Sequence, residues 1–267
     1  ARMLFVSPPF TTYLPDVLAG DSQPVPALWA FAKGVNRRKV ILYLHGGAYV
    51  FGSPTTHAAM LARISELTGA SCLLPDYRMA PEHPFPAAVE DAETAYRALL
   101  ARGYRAEDIA LGGDSAGGGL TFALLHVICA KNLPKPAAVF GFSPWTDLTL
   151  GGETLRSHAK SDAILAAERL KETVDNYLAG ADPRDPRASP IFGTFTNAPD
   201  VMVQVGSNEI LLDDSRRLVE ALKEQGVHAR LDVWQGTPHV WQIFQSRLKE
   251  ADKALADLAE FLRAKLG

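Results

Sequence analysis

Apolar runs of strand length recur along the chain, at residues 27–32, 40–44, 72–74, 109–111, 137–140, 201–205 and 229–233. Most are followed by stretches in which apolar residues return every three or four positions, over 58–67, 87–101, 117–131, 211–225 and 246–265. That is the period of a helix burying one face. Strands apolar on both faces, alternating with such helices, predict a mainly parallel sheet covered on both sides. The expected class is α/β, with residues 1–267 forming a single domain.

Two regions break the alternation. Residues 148–189 contain one helical period, over 162–178, followed by Ala179-Gly-Ala-Asp-Pro-Arg-Asp-Pro-Arg187 and no strand. A cap insertion passing over the sheet edge is expected there. The first 26 residues hold Pro8, Pro9, Pro15, Pro24 and Pro26, which suits an edge strand or an arm, and a short arm is expected over 1–10.

Composition narrows the function classes. With 47% hydrophobic and 21% charged residues, the chain is globular in character and not disordered. Its 27 Lys and Arg against 30 Asp and Glu leave a net charge of −3, so no overall positive field would hold a phosphate backbone, and nucleic acid is not an expected partner. The longest nearly apolar stretch, 120–130, is interrupted by Thr121 and His126 and falls well short of the ~18 residues of a membrane span. Cys72 and Cys129 sit among apolar neighbours and read as small buried hydrophobes. No C-x-x-C, and no His pair at helical spacing with a Glu, points to a metal site. No basic-then-apolar leader is visible in a sequence that starts at Ala1, so a cytoplasmic location is the expectation.

The chemistry concentrates at two glycine-rich turns. After 109–111 the chain reads Gly112-Gly-Asp-Ser115-Ala-Gly-Gly-Gly119 and enters a helix. Gly113-x-Ser115-x-Gly117 therefore stands in the strand–turn–helix setting of a nucleophile elbow, where small neighbours let a strained serine project into a cleft. Alone it could be a glycine turn without chemistry. After 40–44, however, come His45-Gly46-Gly47-Ala48-Tyr49, whose backbone N–H groups can approach a substrate oxygen as an oxyanion-hole loop.

With further blocks these turns resemble the hormone-sensitive-lipase-like family of α/β-hydrolase carboxylesterases. The blocks are His45-Gly-Gly-Ala48, Asp76-Tyr-Arg-Met-Ala-Pro-Glu82, Phe85-Pro-Ala-Ala88, Gly113-Asp-Ser-Ala-Gly117, Ser143-Pro-Trp145 with Asp147, and Ala188-Ser-Pro190. The resemblance implies an α/β-hydrolase fold with a small helical cap, a small-molecule ester as partner, and no cofactor or metal. The implied enzyme is a serine carboxylesterase of short- to medium-chain acyl esters. Relatives commonly carry one or two cap helices before the first strand, whereas here only residues 1–10 precede it. That leaves either an open cleft or an arm docked from a second subunit of a homodimer.

In this fold the acid and then the histidine follow the serine in sequence. His239, in Gly236-Thr-Pro-His239-Val, resembles the family's catalytic-histidine loop. His57 and His158 read as solvated, His126 as packed on the elbow helix, His228 and His83 as loop residues, and His45 as a residue that orients its own loop. The acid departs from the family's usual Asp: the chain reads Glu209-Ile-Leu-Leu-Asp213, with Glu209 at the matching position and Asp213 as the alternative. A Ser115–His239–Glu209 triad is expected, acting through an acyl-enzyme, with the amides of Gly46, Gly47 and Ala116 as the oxyanion hole. Ala48 would be strained if its position needs positive φ; the expectation is that it does not and that its methyl simply narrows the site. Its Gly-Gly-Ala pattern resembles that of family members accepting tertiary-alcohol esters. An amidase or formamidase with the same triad, a non-catalytic ligand receptor on the hydrolase scaffold, and a structural or interaction role are the alternatives.

Overall fold

The computed structural model describes residues 7–20 and 23–267. Eight strands, β1 (Thr12–Leu18), β2 (Val25–Phe31), β3 (Asn36–Leu44), β4 (Ala70–Pro75), β5 (Ile109–Asp114), β6 (Ala138–Phe142), β7 (Val201–Gly206) and β8 (Ala229–Trp234), build one sheet in the order β1-β2-β4-β3-β5-β6-β7-β8. β1 and β2 pair antiparallel with each other, and β2 with β4; every later pairing is parallel. The parallel register matters for function, because the carboxyl ends of β3, β5, β6, β7 and β8 then share one edge of the sheet. β1 contains Pro15 and has sheet on one side only, which is where a residue without an N–H donor is tolerated.

The helices are α1 (Pro54–Thr68), α2 (Ala87–Ala101), α3 (Ser115–Ala130), α4 (Thr154–Ser157), α5 (Leu170–Leu178), α6 (Leu212–Glu224) and α7 (Lys249–Leu266). Alternation along each strand feeds two cores. Val40, Leu42 and Leu44 of β3 join Leu111, Val139 and Val203 in a cluster with α2, α3 and α6, whereas Ile41 and Tyr43 point the other way, to Met60, Leu61 and Ile64 of α1 and Leu255, Leu258 and Leu262 of α7. Leu42 is fully buried, and truncating such a side chain to alanine costs about 2–5 kcal/mol.

The periodicity-based elements hold with shifts of a few residues at their ends, apart from one. The helix expected over 162–178 spans only Leu170–Leu178, preceded by a 3₁₀ turn at Ala167–Arg169. Asp162 is the reason: its Oδ1 accepts the N–H groups of Ile164 and Leu165, a local side-chain bond that competes with helix formation. Cys72 is buried as expected, but Cys129 is only half-buried. The expected arm over 1–10 lies partly outside the described residues; its last residue, Phe10, is 79% exposed.

Candidate active site

β5 passes directly into α3, and the junction falls on Ser115, which adopts φ 53°. A left-handed serine persists only where its surroundings over-determine it. Here they do so through close approach: a Cβ on Gly117 would collide with the carbonyls of Leu44 and His45, and one on Gly119 with the carbonyl of Trp145. Those glycines let α3 pack against the end of β3 and against the loop after β6, and Trp145 N–H closes the contact by donating to Ser115 O (2.9 Å).

Two strands further along the same edge, the turn after β7 carries Glu209 and the loop after β8 carries His239, both buried. His239 Nδ1–H donates to Glu209 Oε2 at 2.7 Å. The other carboxylate oxygen accepts Gly206 N–H (2.6 Å) and Ser143 Oγ–H (2.7 Å), so Glu209 meets three donors and is held rigidly. Burial pulls the imidazole toward its neutral form, but the charge and hydrogen bond of Glu209 outweigh it and hold His239 above its usual range. Asp213 turns away: its Oδ2 accepts Glu153 N–H (3.0 Å) beside α4. Asp214 instead accepts the N–H groups of Thr146 and Asp147, at 2.7 and 2.9 Å, and burial pushes it up to about 7. Among the described residues, no hydrogen bond yet joins Ser115 Oγ to His239 Nε2, a link that in hydrolases often tightens only with substrate.

The oxyanion loop corrects two expectations. Gly46 is not a free donor, because its N–H is spent on the buried Asp114 Oδ1 at 2.9 Å. The amides of Gly47 and Ala48 face no acceptor among the described residues, and Ala116 lies in the first turn of α3, where N–H groups have no intrahelical partner. Ala48 does adopt a positive φ, 56°, and Tyr49 follows at 63°, so the loop carries two consecutive left-handed side-chain residues.

His57, expected to be solvated, is buried at 7% exposure and paired with Asp114 through Nε2 (3.2 Å). Burial opposes its charge, but the Asp114 carboxylate outweighs burial and raises the imidazole's pKa. Asp114 is held low in turn: desolvation pushes it up, and His57, Tyr43 Oη–H (2.8 Å) and Gly46 N–H more than offset that. His45 stacks on Tyr77 with ring centroids 4.4 Å apart and contacts its own loop through Nδ1 and Gly46 O (2.8 Å), while burial drives its pKa down to about 4. It is a neutral loop-orienting residue, as read from the sequence. His126, half-buried on α3, accepts Thr194 N–H (3.0 Å), and His228 is exposed beside Asp200. Ser143 and Asp114 both stand in recognisable blocks, but nothing in their spacing announces that one braces Glu209 and the other Gly46.

Among the described residues, no group of three or more His, Cys, Asp or Glu gathers to hold a metal, and no helix is long and apolar enough to cross a membrane. Residues 41–243 match a family model described as alpha/beta hydrolase fold. Over 229 residues the chain is 40% identical to an acetyl-hydrolase of Streptomyces hygroscopicus, covering 86% of this chain and 77% of the relative. Over 224 residues it is 39% identical to an esterase of Acinetobacter venetianus, covering 84% and 74%. It also superposes on the crystal structure of an esterase from the bacterial hormone-sensitive lipase family with a TM-score of 0.95 at 44% identity, covering 100% of this chain and 89% of that one.

Proposed function

The chain belongs to the α/β-hydrolase fold family, among its hormone-sensitive-lipase-type esterases, and is a carboxylic ester hydrolase; on that premise we propose that Ser115, His239 and Glu209 are its catalytic triad and that it cleaves short- to medium-chain acyl esters. The observation that carries this reading is the 2.7 Å bond from His239 Nδ1 to a fully buried, triply hydrogen-bonded Glu209 on the sheet edge that also bears Ser115.

With Nδ1 committed to the carboxylate, Nε2 is the basic nitrogen. It takes the Ser115 proton as Oγ attacks the ester carbonyl, and Glu209 stabilises the imidazolium without itself being protonated. The developing oxyanion is met by the N–H groups of Gly47, Ala48 and Ala116, with Ala48 taking the place that Gly46 gives up to Asp114. The imidazolium returns its proton to the leaving alkoxide, and alcohol departs. Water, deprotonated by the same nitrogen, then opens the acyl-enzyme and releases the acid.

The position of Ala48, with no side chain larger than a methyl, supports acceptance of bulky tertiary alcohols; tert-butyl acetate consumed at a rate within a few orders of magnitude of ethyl acetate is the expected result. The central test is turnover of p-nitrophenyl acetate, butyrate and decanoate at pH 8 by the wild type and Ser115→Ala. Acetate and butyrate hydrolysed well, decanoate poorly, and all activity lost in the variant is the expected result. Activity surviving in Ser115→Ala would sink the triad.

A further inference from the structure

The two left-handed residues of the oxyanion loop raise the question of what keeps them there. Ala48 at φ 56° and Tyr49 at φ 63° would relax toward ordinary backbone if the surroundings allowed it, and the direction of the Ala48 N–H would change with them. The hydrogen bonds within the loop, Val50 N–H and Phe51 N–H to Gly47 O, both 3.0 Å, close a turn whose two central residues are Ala48 and Tyr49. A second restraint comes from outside the turn, through the side chain and carbonyl of Tyr49.

Tyr49 is 1% exposed and gripped on three sides. Its carbonyl accepts Ala80 N–H at 2.9 Å. Its hydroxyl abuts α3 where Gly119 has no side chain; a Cβ there would lie 3.0 Å from Tyr49 Oη. The face of its ring is covered by Tyr177 of α5, with centroids 3.9 Å apart and planes 8° from parallel. Tyr177 is itself fixed, since Phe85 meets it edge-on at 5.9 Å and Phe85 N–H donates to Tyr177 O at 2.8 Å. The insertion after β6 thus reaches the oxyanion loop by one ring.

We infer that Tyr177 is a positioning residue for the oxyanion hole, clamping Tyr49 so that the Ala48 amide stays aimed at the reacting carbonyl. The inference rests on the proposed Ser115 chemistry with Ala48 as an oxyanion donor. It has a chemical signature, because Tyr177 Oη is buried with no hydrogen-bond partner among the described residues. The ring face does the holding and the hydroxyl contributes nothing, so phenylalanine substitutes for tyrosine and an aliphatic side chain does not. An amide that engages only the developing oxyanion changes kcat and leaves KM alone.

The experiment measures kcat and KM for p-nitrophenyl acetate, and the inhibition constant of an aryl trifluoromethyl ketone, in the wild type, Ser115→Ala, Tyr177→Phe, Tyr177→Leu and Tyr177→Met, with thermal melts alongside. Tyr177→Phe is expected within about twofold of wild type. Tyr177→Leu and Tyr177→Met are expected to lose roughly 10- to 100-fold in kcat, short of the 10²–10³ for deleting a donor outright. Their KM should stay within about twofold, with trifluoromethyl ketone affinity falling in parallel. Full kcat in a folded Tyr177→Leu or Tyr177→Met, a loss in Tyr177→Phe as deep as theirs, or a kcat loss without loss of ketone affinity overturns the inference. If one aliphatic variant fails to fold, the other decides; if both fail, Tyr177 is a folding residue and the inference falls. A wild type no faster than Ser115→Ala would instead defeat the underlying triad reading.

Discussion

Among the described residues two buried imidazole–carboxylate pairs, His57–Asp114 and His239–Glu209, show by their contrast what distinguishes a candidate base from a strut. In both, burial disfavours the charged ring and a carboxylate outweighs burial, so both histidines are held above their ordinary range. Their free valences differ. His57 spends both nitrogens: Nε2 goes to Asp114, and Nδ1 meets Thr56 Oγ1 (2.8 Å), whose own proton goes to Ser53 O (2.7 Å). Both of its nitrogens are thus engaged, and the ring is locked into structure. Among the described residues His239 commits only Nδ1, and its Nε2 takes part in no hydrogen bond. The two carboxylates likewise differ in purpose, for Glu209 orients a ring, whereas Asp114 also pins Tyr43 and the Gly46 amide. Electrostatics alone would not tell these pairs apart; the unspent nitrogen does.

The contrast breaks most visibly at the acids. Glu209→Gln should cut kcat for p-nitrophenyl acetate by about 10²–10⁴-fold with little change in folding, because the amide can no longer hold the tautomer or stabilise imidazolium. Asp213→Asn, which leaves the imidazole untouched, should stay within about threefold. Asp114→Asn should act mainly on stability, since it takes the carboxylate from the buried His57, Tyr43 and Gly46; removing one partner of such a pair costs about 3–5 kcal/mol, read from urea unfolding at neutral pH. A stability loss at Glu209 larger than at Asp114 would reverse the assignment of roles.

The pH dependences should run in opposite senses. A base with a raised pKa must be deprotonated to act, so kcat/KM should fall as pH drops through a value above 6.5. His57, also raised, contributes stability fully present below its unfolded pKa of about 6.5 and lost as pH climbs through the folded value, whereas Asp114, lowered from 3.8, contributes stability present above that value and lost as pH falls through the folded one. The His57–Asp114 pair therefore stabilises most between about pH 4 and 6.5. Unfolding free energy measured from pH 5 to 9 should decline across the range in which activity rises, and His57→Gln should flatten that decline. The smallest effect is expected at Ala48→Gly, where relief of a positive φ should raise stability by about 1 kcal/mol or less, visible as a slight increase in melting temperature.

How far these features were legible in the sequence depends on the range of the interactions behind them. The strands and most helices follow from period and length, since their burial is set by neighbours two to four residues away. That Ser115, Glu209 and His239 follow strands ending at one sheet edge is legible because the chain order of the fold limits where each can stand, and the His239–Glu209 hydrogen bond because Glu209, unlike Asp213, lies on the turn before α6. The engagement of the Gly46 amide is not legible for a different reason: which amide of a glycine loop is free depends on an acceptor 68 residues away. His57 lies in a stretch beginning Thr55-Thr56, whose polarity suggests solvent, and its burial is decided by a carboxylate 57 residues distant. Ala48 carries no mark of its left-handed backbone, which belongs to a turn closed by Val50 and Phe51 N–H on Gly47 O and packed beneath the Tyr177 ring.

The run Gly117-Gly118-Gly119 that lets α3 approach β3 and the Trp145 loop has a kinetic consequence. Each glycine forfeits about 1 kcal/mol of intrinsic helix propensity relative to alanine, so the first turn of α3 has little tendency to form by itself. It gains its partners only once β3 and the loop after β6 have come together, contacts that span long stretches of chain and form late. The reactive serine's turn is then a product of assembly rather than its nucleus. During refolding from urea, return of esterase activity should lag behind return of the far-ultraviolet helical signal, and a chain caught between the two would be compact, helical and inert.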